Sequence, residues 1–357
     1  MEKVTFLLNK LMHYRIPIYN ILAQHYDLTV VSSFPIKEEH QKQCQFKLLY
    51  VPVLQMGKFY WHKQSVKKLC KDSDVVIVNG EITYLDYTLM SLLARRYKLI
   101  YWSIGAPASR KRHYGEASSL YYSISDFFKK RADALVFYTE KARQMHIERG
   151  FNSRRLFVAN NTVKVEKIDI DEVSLQKEYI LFIGTLYLEK GLQVLLDTYQ
   201  SAYEENPMIP PMKIVGEGEH YEAVCDWIDK NGLQDKIEMK GAIYDVHEKA
   251  KVICRAIACV SPFQAGLSVL ECLGYGVPFV TCKDAITGGE LFNIQNGKNG
   301  VLLDDAGELK DVILDMTNNK RKYIIMGENG YSYYWKYRTP EIMAQGLIDA
   351  IRFVDPA

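Results

Sequence analysis

Two runs in this chain, Val75–Val78 and Ala256–Val260, contain no polar side chain. A strand that is apolar on both faces is buried on both faces, and strands of that kind build parallel sheets covered by helices on each side. The rest of the chain supplies what such sheets need. Segments that read as strands at Val4–Leu8, Leu28–Val31, Leu99–Trp102, Ala134–Phe137, Tyr179–Ile183, Met212–Val215, Ile237–Met239 and Gly300–Leu303 alternate with stretches of helical period. This alternation predicts doubly wound parallel sheets, in which ligands bind beyond the carboxyl ends of the strands.

Helices are predicted at Pro17–Gln24, Thr83–Arg96, 114–131, Lys141–Glu148, Leu192–Tyr203 and Ala223–Asn231, and a third strand at Phe46–Val53. Within Thr83–Arg96, Leu85, Leu89, Leu92 and Leu93 lie at helical spacing and read as its buried face. The alternation lapses over residues 160–178, where the chain becomes charged, and then restarts. A length of 357 residues allows two cores. The reading is two Rossmann-like domains, 1–170 and 171–338, followed by a terminal helix within 339–357.

Charge divides along the same line. Residues 1–172 carry a net +10 and residues 173–357 a net −8. Clusters at Lys63/Lys67/Lys68/Lys71, Arg95/Arg96/Lys98, Arg110/Lys111/Arg112 and Lys129/Lys130/Arg131 make the first half basic. Singly these are ordinary solvated faces; together they fit an anionic membrane surface, at ~1 kcal/mol per basic residue near the bilayer. No helix-turn-helix, zinc or RNA-binding signature accompanies them, so no nucleic-acid partner is expected. Seven cysteines at irregular spacing, without a C-x-x-C pair, point to reduced thiols rather than a disulfide frame or a zinc site. No apolar run is long enough to span a bilayer, and the apolar core of the first ten residues is too short for a secretory signal. A cytoplasmic protein is expected, with peripheral contact at the inner face of the cell membrane.

The segment Ser261-Pro-Phe-Gln-Ala-Gly-Leu-Ser-Val-Leu-Glu271-Cys-Leu-Gly-Tyr-Gly-Val-Pro278-Phe-Val-Thr281 follows the apolar run 256–260. It reads as strand, glycine loop, helix and strand. A helix that starts at such a loop directs unpaired N–H groups and its positive dipole end at one spot, which suits a phosphate. A structural alternative uses the same residues. Ser268 and Glu271 have the S-x-x-E spacing of a capping box, in which Glu271 ties down only its own helix start.

Four segments, in order, carry a resemblance. Phe182-Ile-Gly-Thr-Leu-Tyr-Leu-Glu-Lys-Gly191, Val215-Gly-Glu-Gly218, Gly266-Leu-Ser-Val-Leu-Glu271 and Asn296-Gly-Lys-Asn-Gly-Val-Leu-Leu-Asp304, with Asn160-Asn-Thr-Val163 before them, resemble the donor-domain motifs of family-4 retaining glycosyltransferases. The first half is matched more loosely, through Tyr14-Arg15-Ile-Pro17 and Tyr101-Trp102-Ser103-Ile104-Gly105. The resemblance implies the GT-B fold: two Rossmann-like domains, an interdomain cleft, and a C-terminal helix, here about Pro340–Phe353, that crosses back to the first domain. It also implies a metal-independent, retaining hexosyl transfer from a UDP- or GDP-linked sugar, which is a substrate and not a cofactor. The acceptor implied is a glycan or a polyprenyl-linked saccharide in surface polysaccharide biosynthesis.

Roles follow residue by residue. Lys190 matches the lysine that pairs with the donor diphosphate, as a flexible point charge does well; outside its motif it reads as an exposed helix-start lysine. Glu271 matches the glutamate that accepts hydrogen bonds from the ribose diol, for which an ionised carboxylate is suited. These two are the candidate catalytic residues. Gly184, Thr185 and Gly216 lie in the first two glycine turns, Gly266, Leu267 and Ser268 present N–H groups to the distal phosphate, and Ile243 and Tyr244 meet the base. Three positions depart from the family. Thr185 stands where it has an arginine, Phe263 where it has the first of two glutamates, and Ile104 where it often has a histidine. Arg110, Lys111 and Arg112 are candidates to replace the missing phosphate charge. The rival readings are a catalytically reduced nucleotide-sugar or glycan-binding partner of an active transferase and, with no acid/base signature in its favour, a GT-B nucleotide-sugar epimerase.

Overall fold

The computed structural model describes residues 1–108 and 112–355. The chain forms two compact units. One comprises Met1–Pro107, Gly115–Lys164 and Thr339–Ala357, the other Ala108–Tyr114 and Val165–Arg338.

The first unit contains strands β1 (Lys3–Leu8), β2 (Asp27–Ser32), β3 (Lys47–Tyr50), β4 (Val53–Met56), β5 (Phe59–His62), β6 (Val75–Asn79), β7 (Lys98–Ser103), β8 (Ala134–Phe137) and β9 (Leu156–Val158). Seven of them form a parallel sheet in the order β3-β2-β1-β6-β7-β8-β9. The helices used below are α1 (Ile16–Ala23), α2 (Leu85–Leu89), α3 (Ser119–Lys129) and α4 (Glu140–Glu148). The terminal helix Pro340–Val354 packs in this unit, against α1, β8 and β9. Met343, Leu347, Ile348 and Ile351 join Phe6, Tyr19, Leu22 and Val30 in its core.

The expected strand Phe46–Val53 is shorter than its apolar pattern. Pro52 has no N–H to donate to a ladder, so β3 ends at Tyr50 and the chain turns into the antiparallel hairpin β4–β5. That hairpin is pinned to α2. His62 Nδ1 donates to Asp86 Oδ2 at 2.7 Å, His62 Nε2 meets Ser33 Oγ at 2.8 Å, and the ring of Tyr60 stacks on that of Tyr84. Ser33, His62 and Asp86 are all buried, so this serine–histidine–aspartate chain holds the hairpin and has no access to a substrate.

The helix expected at Thr83–Arg96 is a larger correction. Only Leu85–Leu89 is α-helical; Met90–Leu92 follows as a 3-10 turn and Leu93 is extended. The expected buried face is also reversed. Asp86, Tyr87, Thr88 and Ser91 are inside, whereas Leu89, Leu92 and Leu93 are exposed. The inner polar groups are bonded: Thr88 Oγ1 donates to the Tyr84 carbonyl, Ser91 Oγ to that of Thr88, and Tyr101 Oη to that of Thr88. Such side-chain-to-backbone bonds compete with a continuing helix. The helix expected over 114–131 likewise starts later, at Ser119, where Ser118 Oγ accepts the Tyr121 N–H as an N-cap.

The second unit contains β10 (Tyr179–Ile183), β11 (Met212–Val215), β12 (Ile237–Gly241), β13 (Ala256–Val260), β14 (Gln264–Ala265), β15 (Phe279–Cys282), β16 (Ile286–Thr287) and β17 (Gly300–Leu303). Its helices include α5 (Leu192–Glu205), α6 (Val246–Cys254), α7 (Ser268–Gly274) and α8 (Lys320–Tyr337). The parallel sheet runs β12-β11-β10-β13-β15-β17. From β10 the chain builds outward through β11 and β12, then returns to the other side of β10 and builds through β13, β15 and β17. Strand order therefore reverses between β10 and β13. All seven cysteines are free thiols. Among the described residues no helix is long and apolar enough to cross a membrane.

Candidate functional site

The reversal between β10 and β13 defines where a ligand can sit. On either side of a switch point the connecting chains leave the sheet in opposite directions, opening a crevice at the carboxyl ends of the two strands. The loop after β10 is Gly184–Gly191 and the loop after β13 is Ser261–Leu267. They touch. The Phe263 N–H donates to the Lys190 carbonyl at 3.4 Å, and Tyr187 Oη hydrogen-bonds Gln264 Oε1.

Lys190 lies inside the first of these loops. It is buried, with Nζ 5.6 Å from the centroid of the Tyr187 ring and 5.7 Å from that of Phe182. This differs from the exposed helix-start lysine that its position alone suggests. The ammonium folds back over Gly184, where a Cβ would overlap Nζ. Gly184 has φ +143° and Gly216 φ +149°, and a Cβ on Gly216 would overlap the Gly184 carbonyl. The two glycine turns are thus nested: Gly216 lets the loop after β11 press on Gly184, and Gly184 leaves the room that the lysine fills.

Glu271 is in the first turn of α7. The helix is anchored by Val269, Leu270, Cys272 and Leu273, all fully buried, at about 1.5–3 kcal/mol for each of the larger side chains. Leu267 is its N-cap residue and no side chain caps it. The capping box between Ser268 and Glu271 does not form; the Glu271 carboxylate turns instead to α6, where Lys249 Nζ lies 2.5 Å from Oε1. Both side chains are largely covered. Sequence reasoning missed Lys249 because it missed α6. The signal was present: Asp245 caps that helix by accepting the Glu248 N–H at 2.9 Å, and D-x-x-E is a helix-start spacing.

Gly266, Leu267 and Ser268 form the half-buried entry to α7, and a Cβ on Gly266 would meet no atom within 4 Å, so the space above it is open. Thr185 is exposed. Ile243 is half-buried and Tyr244 exposed, in the loop between β12 and α6. Phe263 packs its ring on Gly191, where a Cβ would overlap it, so the position of the family's glutamate is used here for an apolar contact. Ile104, in the first unit, is half-buried in the turn after β7. Arg112 is exposed, whereas Arg110 and Lys111 lie outside the described residues.

Residues 177–319 match the family model for glycosyl transferases group 1. That span contains both nested glycine turns, Lys190, Lys249 and Glu271. A search of curated proteins gives no match. Among solved structures, HepE from Anabaena in complex with UDP superposes with a TM-score of 0.73 at 15% identity, over 98% of this chain and 99% of that one. A glycosyltransferase from Rickettsia africae gives 0.74 at 11% identity over 99% and 98%. WaaG, a glycosyltransferase involved in lipopolysaccharide biosynthesis, gives 0.65 at 15% over 99% and 100%. The fold is GT-B.

Proposed function

We propose that the protein is a family-4 retaining glycosyltransferase that moves a sugar from a UDP- or GDP-linked donor to a glycan or polyprenyl-linked acceptor during surface polysaccharide assembly in the cytoplasm. The observation that carries this reading is Lys190, held on Gly184 at the switch point of the second sheet with the loop that leads to Glu271 against it. On this reading Lys190 and the N–H groups of Gly266, Leu267 and Ser268 take the diphosphate, and the free oxygen of Glu271 accepts from the ribose diol. The main demand of such a transfer is to stabilise charge that builds on the departing phosphate, which preorganised N–H groups and a lysine can meet without a metal. The phosphate oxygen itself takes the acceptor proton. The UDP-glucose complex of HepE shows that a protein of the same fold binds such a donor.

The second reading is a nucleotide-sugar-binding partner with little turnover. Two observations favour it: Thr185 offers no guanidinium to the phosphates, and Phe263 is spent on Gly191. Donor hydrolysis or transfer by the purified protein, assayed against UDP- and GDP-sugars, separates the two. A nucleotide that raises the melting temperature without any donor turnover supports the binder. Release of nucleoside diphosphate, lost in Lys190→Ala, supports the transferase. A changed sugar on an intact donor identifies an epimerase.

A further inference from the structure

Helix α3 is built inside out. Its buried residues are Ser125, Asp126 and Lys129, and its exposed ones include Leu120 (68%), Ile124 (44%) and Phe127 (47%). The three apolar side chains recur at i, i+4 and i+7, which places them along one stripe. The inner face is polar by construction. Asp126 Oδ2 accepts from Arg149 Nε at 2.9 Å, and the Arg149 guanidinium lies over the Tyr122 ring. The neighbouring element repeats the inversion. The 3-10 turn after α2 packs beside α3, and across α2 and this turn Leu89, Leu92 and Leu93 are exposed while Thr88 and Ser91 are buried together with Met90.

The two elements are tied at one end, where Arg95 Nη2 donates to the Arg131 carbonyl at 3.1 Å and to Asp133 Oδ2 at 3.1 Å. That tie brings two basic clusters together. Arg95 is neutralised by Asp133, but Arg96, Lys98, Lys130 and Arg131 remain exposed. The Arg131 guanidinium lies 3.7 Å from the Phe127 ring centroid, so charge and apolar surface adjoin. The stripe therefore ends in charge of a single sign.

We propose that this face docks on an anionic membrane. Leu120, Ile124, Phe127, Leu89, Leu92 and Leu93 enter the headgroup–acyl boundary, as the apolar side of an interfacial helix does, and Arg96, Lys98, Lys130 and Arg131 meet anionic headgroups. Neither signal suffices alone; stable but reversible attachment takes apolar insertion and a basic patch together. The assignment is independent of any role for Lys190 or Glu271.

The test is co-sedimentation of the full chain with vesicles of phosphatidylcholine alone or mixed with phosphatidylglycerol. The protein is expected to pellet with the mixed vesicles, about tenfold more strongly than with the neutral ones, and to be released by salt. Ile124→Glu with Phe127→Glu should abolish binding. Arg96→Ala, Lys130→Ala and Arg131→Ala together should remove the preference for phosphatidylglycerol. All these positions are exposed, and unchanged melting temperature and UDP response would show that fold and donor site are intact. The proposal is overturned if the wild type stays in solution with both vesicles, or if Ile124→Glu with Phe127→Glu binds as before. It is equally overturned if the wild type is a dimer on gel filtration that this double variant turns into a monomer, which would assign the face to a second copy of the chain.

Discussion

Lys249 Nζ and Glu271 Oε1 lie 2.5 Å apart, across the gap between α6 and α7. The ammonium holds one carboxylate oxygen; on the proposed reading the other accepts from the ribose diol, and Lys249 is then a positioning residue for Glu271. Lys249→Met should weaken UDP or GDP binding by about three- to tenfold, or ~0.7–1.4 kcal/mol, in a calorimetric titration. Glu271→Gln should cost as much or more, and the double variant should cost less than the sum because the two act as one unit. Tighter binding by Lys249→Met would show that the lysine competes with the nucleotide.

Lys190 gives a sharper test, because its ammonium is sequestered by packing. Lys190→Ala should lower nucleotide affinity by about tenfold or more, as expected for losing a charge-assisted contact to phosphate. Affinity for the uncharged nucleoside, measured in parallel, should not change. An equal loss for nucleoside and nucleotide would mean that the lysine props the loop and does not contact phosphate.

The parts of the fold legible in the sequence were those whose residues answer to a local rule. Apolar runs such as Val75–Val78 and Ala256–Val260 are strands because nothing else buries both faces, and the glycine loop before α7 is where its spacing placed it. What was not legible depended on partners far along the chain. The leucines of Thr83–Arg96 have a helical period, yet Asp86 takes the inside because His62 awaits it there, and Tyr101 bonds the Thr88 carbonyl beside it. Ser268 and Glu271 have the spacing of a capping box, yet a lysine on α6 outcompetes the local bond. In both cases a side chain with a local option found a better tertiary one.

Gly216→Ala tests the nesting of the two glycine turns. Its Cβ would overlap the Gly184 carbonyl at a backbone angle that L-residues rarely adopt. A loss of about 2–3 kcal/mol is expected from overpacking and strain, read by denaturant unfolding. Because the strain is relieved by moving the loop that carries Lys190, nucleotide affinity should fall in the same variant. Gly232→Ala is the control, since a Cβ there meets no atom within 4 Å and its φ of +65° costs strain alone.

His146 should make the protein acid-sensitive. Its ring is fully buried, stacked on Phe137 at 4.2 Å, and Nδ1 donates to the Ala142 carbonyl at 2.8 Å. Nε2 is buried without a hydrogen-bond partner, so a second proton there would meet no acceptor. Burial, with Lys129 nearby, pushes its pKa down to about 2 from an ordinary 6.5. The folded chain therefore binds fewer protons than the unfolded chain at any pH between those values. Stability from this residue is complete above about pH 6.5 and is lost as pH falls below it, approaching ~1.4 kcal/mol per pH unit. Unfolding measured at pH 7 and pH 5 should show a loss of ~2 kcal/mol from this group. His146→Gln, which cannot take up a proton, should flatten the dependence by that amount even if it is less stable at pH 7. An unchanged slope in the variant would mean that the acid sensitivity belongs to other groups.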